Sequence, residues 1–172
     1  MRRLRVGAYV GSHLPVLLKL LPMTIGPILE IGSGYNSTPV LYWACFPSKR
    51  RLVTYENNPQ FFEFANSYQA DFHDIRCVEN LNDLELCEPW SIAFLDSDPH
   101  DTRVHAVPLL HHAEYVVVHD TDQHRGQRGT IFDGVFQEFK YQFRYEAAWP
   151  QTSVLSNVHD VSGFRVMGEN NV

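Results

Sequence analysis

The side chains best suited to chemistry in this sequence stand at or just beyond the ends of short apolar runs: Glu30-Ile31-Gly32-Ser33-Gly34, then Glu56, then Asp96-Ser97-Asp98-Pro99-His100, then His119-Asp120. Paired glycines in such a place permit a tight turn and let a ligand approach the backbone, with the N–H groups of a following helix beyond them. An acid 22 residues after Gly34 stands where ribose hydroxyls commonly find a hydrogen-bond acceptor. His100 or His119 could take a proton from a hydroxyl, because an unperturbed imidazole titrates near neutrality. Asp96 and Asp120, if brought close, would raise one another's pKa, so a metal ion, a proton or a ligand ammonium would have to offset their repulsion. Plainer readings stand beside these: a simple strand-to-helix turn for the glycines, an exposed loop acid for Glu56, and an orienting or core-packed role for His119.

Positioning these groups falls to an alternating series of elements. Residues 27–31 read as a buried strand ending at glycines. Asn36, Ser37 and Thr38 then offer capping side chains, Pro39 suits a first helical turn, and residues 40–46 are apolar almost all round before Pro47 stops them. Residues 52–56 form a second strand, and Asn58-Pro59 repeats the start signal before Phe61, Phe64, Ala65 and Tyr68 at helical spacing. A weaker strand is predicted at 75–78 and stronger ones at 92–95 and 115–118. Val104, Val107 and Leu110 suggest a helix between these two, with Pro108 in its interior. Phe132, Val135, Phe136, Phe139 and Phe143 follow the helical period and predict the clearest amphipathic helix of the chain. Residues 152–155 and 164–167 are the remaining strands, expected to form an antiparallel hairpin at the sheet edge.

Parallel strands need crossover connections, and these are right-handed, so the series implies one α/β domain over residues 1–172: a doubly wound, mainly parallel sheet with helices on both faces. Ligands of such sheets bind beyond the carboxyl ends of the strands, and Asp96 and Asp120 should end neighbouring strands there.

A formal charge of −6, with 14 basic against 20 acidic residues, argues against a nucleic-acid partner, whose affinity rests on cationic contacts with phosphates. The apolar stretch 14–31 is broken by Lys19, Thr24, Gly26, Glu30 and three prolines, short of the roughly 20 apolar residues of a membrane span. The basic start Met1-Arg2-Arg3-Leu4-Arg5 lacks the apolar run and cleavage site of a signal peptide. The expectation is a cytoplasmic protein with no membrane partner. Cys45, Cys77 and Cys87 form no CxxC pair and read as buried free thiols.

The combination of an acid-x-Gly-x-Gly run ending one strand with an acid ending the next resembles the class I S-adenosylmethionine-dependent methyltransferases. Phe94-Leu95-Asp96-Ser97-Asp98-Pro99-His100 and Val116-Val117-Val118-His119-Asp120-Thr121 look like a subgroup with catechol-type and rhamnosyl O-methyltransferases and cephalosporin hydroxylase-like proteins. The resemblance covers residues 28–121 and implies a Rossmann-like fold, S-adenosylmethionine as cofactor and a small hydroxylated molecule as methyl acceptor. It implies Gly32, Ser33 and Gly34 around the methionine part, with Glu30 supporting the loop, Glu56 on the ribose, Glu79-Asn80 near the adenine, and Asp96 facing both the cofactor's ammonium and the substrate. Asp96 and Asp120 match carboxylates that hold a divalent cation in metal-dependent members. Oxygen ligands would favour magnesium or calcium, while His100 and His119 nearby would tilt the choice toward manganese, iron or zinc.

The chain departs from that pattern at Thr121, where catechol-type enzymes carry asparagine, and at Pro99, near which they carry a lysine. Metal and base therefore stay open, with His100 or His119 the base if no ion is used. About 26 residues precede the first strand, so the substrate site is expected to be open or completed by a second copy of the chain. Asp98 and Asp101 are also candidate helix caps, His105, His111 and His112 fit a solvated face, and residues 124–129 read as a polar loop in which Arg125 or Arg128 could meet an anion. The missing third glycine of GxGxxG, with Ser37 in its place, disfavours a nicotinamide cofactor. An NAD(P)-dependent oxidoreductase and a catalytically silent nucleotide-binding or assembly module remain the alternatives.

Overall fold

At the centre of the sheet lies β1, Ile28–Ile31, every residue of it buried. A computed structural model describes residues 11–122 and 131–167. Around β1 are arranged β2 (Leu52–Glu56), β3 (His73–Cys77), β4 (Ile92–Leu95), β5 (Tyr115–His119), β6 (Tyr141–Tyr145) and β7 (Thr152–Ser156), in the order β3-β2-β1-β4-β5-β7-β6. The first five are parallel; β7 pairs antiparallel with both β5 and β6. The chain winds outward from β1 to β3 and then returns to β4 on the other side of β1. The crevice between β1 and β4 is thus the topological switch point, where ligands of such sheets bind.

Alternate strand residues feed two cores, as a sheet covered on both faces requires. Leu29, Ile31, Val53, Tyr55, Leu95, Val116 and Val118 pack with Ala106 and Val107 of α4 (His100–Leu109) and Phe136 of α5 (Asp133–Phe136). Ile28, Leu52, Phe94, Tyr115 and Val117 pack on the opposite side with Val16, Leu17 and Leu20 of α1 (Leu14–Leu20) and Leu41 of α2 (Ser37–Cys45). The doubly wound α/β architecture and the terminal antiparallel hairpin expected from the sequence are both present. The next crossover helix is α3 (Pro59–Asn66), capped as expected by Asn58, which accepts from the N–H groups of Gln60 and Phe61.

Four expectations are corrected. The phenylalanine helix is four residues long: Tyr141-Gln142-Phe143-Arg144-Tyr145 alternates aromatic with polar and takes the period of a strand. Gln142 Nε2 donates to the carbonyls of Phe136 (2.7 Å) and Phe139 (3.3 Å), which satisfies backbone acceptors as the helix ends. The partner of β7 in the hairpin is therefore β6, while residues 164–167 form no strand and instead bury Phe164 and Val166 against the α1 side. No element is expected at residues 14–20, yet they form α1, with Pro15 in its first turn and Val16, Leu17 and Leu20 buried. Of the cysteines only Cys45 is buried; Cys77 and Cys87 are exposed. The polar loop 124–129 and the basic start 1–5 lie outside the described residues. No helix among the described residues is long and apolar enough to cross a membrane.

Candidate functional site

The same alternation that splits the two cores aims the polar residues. Ile28, Leu52, Phe94 and Val117 face α1 and α2, so Glu30, Thr54, Asp96 and His119, each two residues on, continue that parity toward the carboxyl edge. Gly32 ends β1 at φ +86°, and a Cβ there would lie 2.5 Å from the backbone nitrogen of Ser97. Only glycine lets the chain leave β1 so close to the end of β4. A Cβ on Gly34 would meet only Ser37 Oγ, at 3.4 Å, so the turn keeps an open side.

Beneath this turn Glu30 is fully buried and is bonded to neutral hydroxyls. Thr38 Oγ1 donates to its carboxylate at 3.0 Å and accepts from the Gly34 N–H at 3.1 Å, and Thr54 Oγ1 donates at 2.8 Å. Burial pushes the Glu30 carboxyl up to about 7; the hydroxyl bonds oppose that rise and the charge of Asp96 adds to it. Glu30 is therefore linked to the Gly34 N–H through Thr38.

Glu56 is almost wholly buried. Its Oε2 accepts from the N–H and hydroxyl of Ser33, both at 2.7 Å, and its Oε1 accepts from the N–H groups of Asn57 (2.9 Å) and Asn58 (2.8 Å). The glycine turn is thereby tied to the end of β2, and four donors fill the acceptor sites of the carboxylate. Asn80, past the end of β3, is exposed, and its Oδ1 accepts from the Asn82 N–H in a short turn.

Asp96 and Asp120 do come to the same edge, and a guanidinium lies between them. Arg103, on α4 and 3% exposed, donates from Nη1 to Asp120 Oδ2 (3.0 Å) and to the His119 carbonyl (2.8 Å), and from Nε to the Ser97 carbonyl (2.6 Å). Its Nη2 lies 3.2 Å from Asp96 Oδ1. Asp120 sits at φ +57°, a left-handed conformation that Asp adopts more readily than most residues. Thr121, where the catechol-type pattern has asparagine, turns away into the antiparallel edge, with its hydroxyl 2.9 Å from that of Ser153.

His119 Nδ1 lies 3.0 Å from Asp96 Oδ1 and its Nε2 2.7 Å from Ser12 Oγ, so both ring nitrogens are engaged. His100 is more open, 20% exposed, with Nδ1 3.8 Å from Asp98 and Nε2 3.7 Å from Asp120. Burial would raise the Asp96 carboxyl, but the hydrogen bond and charge of His119 and the charges of Arg103 and His13 outweigh it, holding the group below its ordinary value.

Arg103, His13 and Ser12 are the site residues that sequence reasoning misses. Arg103 had a readable signal: a charged residue beside Ala106, Val107 and Leu110, on the inner face of a helix that starts just beyond β4. His13 carries none: it immediately precedes α1, where the sequence predicts no element. Neither Asp98 nor Asp101 caps α4, whose N-terminal position is Pro99. His105 and His111 are exposed, as expected, while His112 is half-buried.

No family model matches the sequence, and no curated protein matches it significantly. Among solved structures, a methyltransferase of Podospora anserina with S-adenosylhomocysteine bound superposes with a TM-score of 0.63 at 14% identity, over 88% of this chain and 80% of that one. A Klebsiella pneumoniae protein provisionally described as an O-methyltransferase superposes with a TM-score of 0.54 at 18% identity, over 91% of this chain and 84% of its own. The strand order, the switch point between β1 and β4 and these two likenesses together give the chain the Rossmann-like fold seen in methyltransferases.

Proposed function

We propose that the chain binds S-adenosylmethionine at the β1–β4 switch point and transfers its methyl group to a hydroxyl of a small molecule. The observation that carries this reading is the convergence of the Gly32–Gly34 turn, Glu56 and Asp96 at the ends of three adjacent strands. That a superposable methyltransferase binds S-adenosylhomocysteine supports it.

The cofactor brings a methyl carbon on a sulfonium, already a good leaving group, so the protein's share is alignment and removal of a proton. The open side of Gly34 receives the methionine part, Asp96 the ammonium and Asn80 the adenine side. Glu56 accepts the ribose hydroxyls at Oε2, in place of the Ser33 hydroxyl that holds it in this structure. His100 is the base: it is the more exposed imidazole, and Asp98 and Asp120 on either side favour the imidazolium formed when it takes the acceptor's proton. His119, engaged through both nitrogens, orients Asp96. Because Arg103 occupies Asp96 Oδ1 and Asp120 Oδ2, those two carboxylates do not fit a magnesium or manganese ion bridging them.

The test is transfer of a labelled methyl group from S-adenosylmethionine to a panel of hydroxylated sugars and phenols. Turnover of at least one acceptor, lowered roughly 100-fold or more by His100→Ala, the scale of general-base catalysis, supports the reading. Transfer only to amines, or transfer indifferent to His100, contradicts the hydroxyl and base assignments.

A further inference from the structure

Beside Arg103 the edge holds a second cluster, of different composition. His13, Asp96 and His119 place one potential ligand atom each within 4.8 Å of one another. His13 Nδ1 lies 4.0 Å from Asp96 Oδ2, too far for a hydrogen bond, and His119 Nδ1 lies 3.0 Å from Asp96 Oδ1. The two imidazoles meet edge to face, with ring centroids 4.6 Å apart. His13 is 4% exposed, and neither of its ring nitrogens has a hydrogen-bond partner among the described residues. A buried imidazole with both nitrogens unsatisfied is costly unless something binds it, and its nearest polar neighbours are a carboxylate and another imidazole.

We propose that His13, Asp96 and His119 form a site for a transition-metal dication, of the zinc, iron(II), cobalt or manganese class. Two imidazoles and one carboxylate suit these ions, whereas magnesium prefers oxygen and water. Two ligands about 2.1 Å from a tetrahedral ion stand about 3.4 Å apart. The 4.0 Å between His13 and Asp96 must therefore close by about 0.6 Å and the widest separation, within 4.8 Å, by at most about 1.4 Å, movements that side-chain rotation supplies. Charge also permits it: one guanidinium, Arg103, faces two carboxylates, at Asp96 Oδ1 (3.2 Å) and Asp120 Oδ2 (3.0 Å), which leaves a negative charge in excess, while Asp96 Oδ2 is the oxygen nearer His13. Burial lowers the pKa of His13 to about 4, so its ring is neutral and available as a ligand at neutral pH. Ser12 Oγ, 2.7 Å from His119 Nε2, would then accept that N–H and fix the ring with Nδ1 toward the ion, as outer partners of metal-bound histidines do. Three protein ligands leave at least one position for an outside oxygen.

This site draws on the residue before α1, the residue after β4 and the last residue of β5, and its existence does not depend on the cofactor reading. Cobalt(II) is the probe, titrated into chelator-treated protein and followed by its visible absorption. The expected result is one equivalent bound in an ordered site and displaced by zinc. His13→Gln, which keeps most of the volume, and His13→Ala should each weaken binding at least tenfold, while the double surface variant His105→Ala, His111→Ala should bind as the wild type does. Circular dichroism and thermal unfolding, measured on the same variants, show that the fold is retained. Absence of an ordered cobalt spectrum overturns the proposal, as does equal binding by folded His13→Gln.

Discussion

Arg103 Nη1 lies 3.0 Å from Asp120 Oδ2, so a helix on one face of the sheet reaches across its edge to hold the residue that follows β5. The same side chain binds the Ser97 carbonyl beyond β4, which joins the ends of two neighbouring strands through one buried cation.

Arg103→Ala should therefore destabilise the protein by about 3–5 kcal/mol, the usual cost of removing one partner of a buried ion pair and stranding the other. Arg103→Lys, which lacks the planar fork, should recover only part of this. Urea unfolding measures both; a loss under about 1 kcal/mol for Arg103→Ala would mean that the guanidinium does not organise the edge.

Glu30 gives a pH dependence of definite sign. Its carboxyl is raised from 4.5 to about 7 in the fold, so the folded chain holds a proton over an interval in which the unfolded chain has released it. The contribution is fully present below the unfolded value and is lost as pH rises through about 7, on the order of 3 kcal/mol in all. Buried His13 and His73, both lowered from 6.5 to about 4, act in the opposite sense across much of the same interval, so the informative quantity is a difference between variants. Glu30→Gln should gain stability relative to wild type between about pH 5 and pH 8; a difference independent of pH would show that Glu30 titrates normally.

The two glycines of the turn should separate folding from binding. Gly32→Ala puts a Cβ 2.5 Å from the Ser97 nitrogen at φ +86° and should cost more than the about 1–2 kcal/mol of a left-handed conformation alone. Gly34→Ala, with only Ser37 Oγ nearby, should leave thermal unfolding close to wild type yet reduce S-adenosylhomocysteine affinity. Equal thermal loss for both would remove the distinction.

Much of this arrangement is legible in the sequence. Apolar runs ending in Glu30, Glu56, Asp96 and His119-Asp120 give the strands, their neighbours and the edge on which chemistry collects, because a parallel sheet must bury both faces and expose its carboxyl ends. What is not legible depends on contacts between distant elements. Phe132, Val135, Phe136 and Phe139 satisfy a helical period, but β6 begins two residues after Phe139 because pairing with β7 outweighs local periodicity. Arg103 reaches Asp96 and Asp120 from a helix on the far face, and His13 immediately precedes α1, where the sequence predicts no element.

Ser33 and Glu56 supply the last variant test. If ribose takes the place of the Ser33 hydroxyl on Glu56 Oε2, Ser33→Ala should bind S-adenosylhomocysteine at least as tightly as wild type. Glu56→Ala should lose about 1–3 kcal/mol of affinity, the scale of hydrogen bonds to a charged group. Competitive binding measurements read both, and weaker binding by Ser33→Ala would assign the hydroxyl directly to the ligand.

The central claim is the identity of the cofactor, and calorimetry tests it most directly. The wild-type chain titrated separately with S-adenosylhomocysteine, NAD and NADP should give saturable heat with the first alone, at one equivalent per chain. Heat from NAD or NADP only would make the chain a dinucleotide-binding protein, and the absence of heat from all three would contradict the methyltransferase reading as a whole.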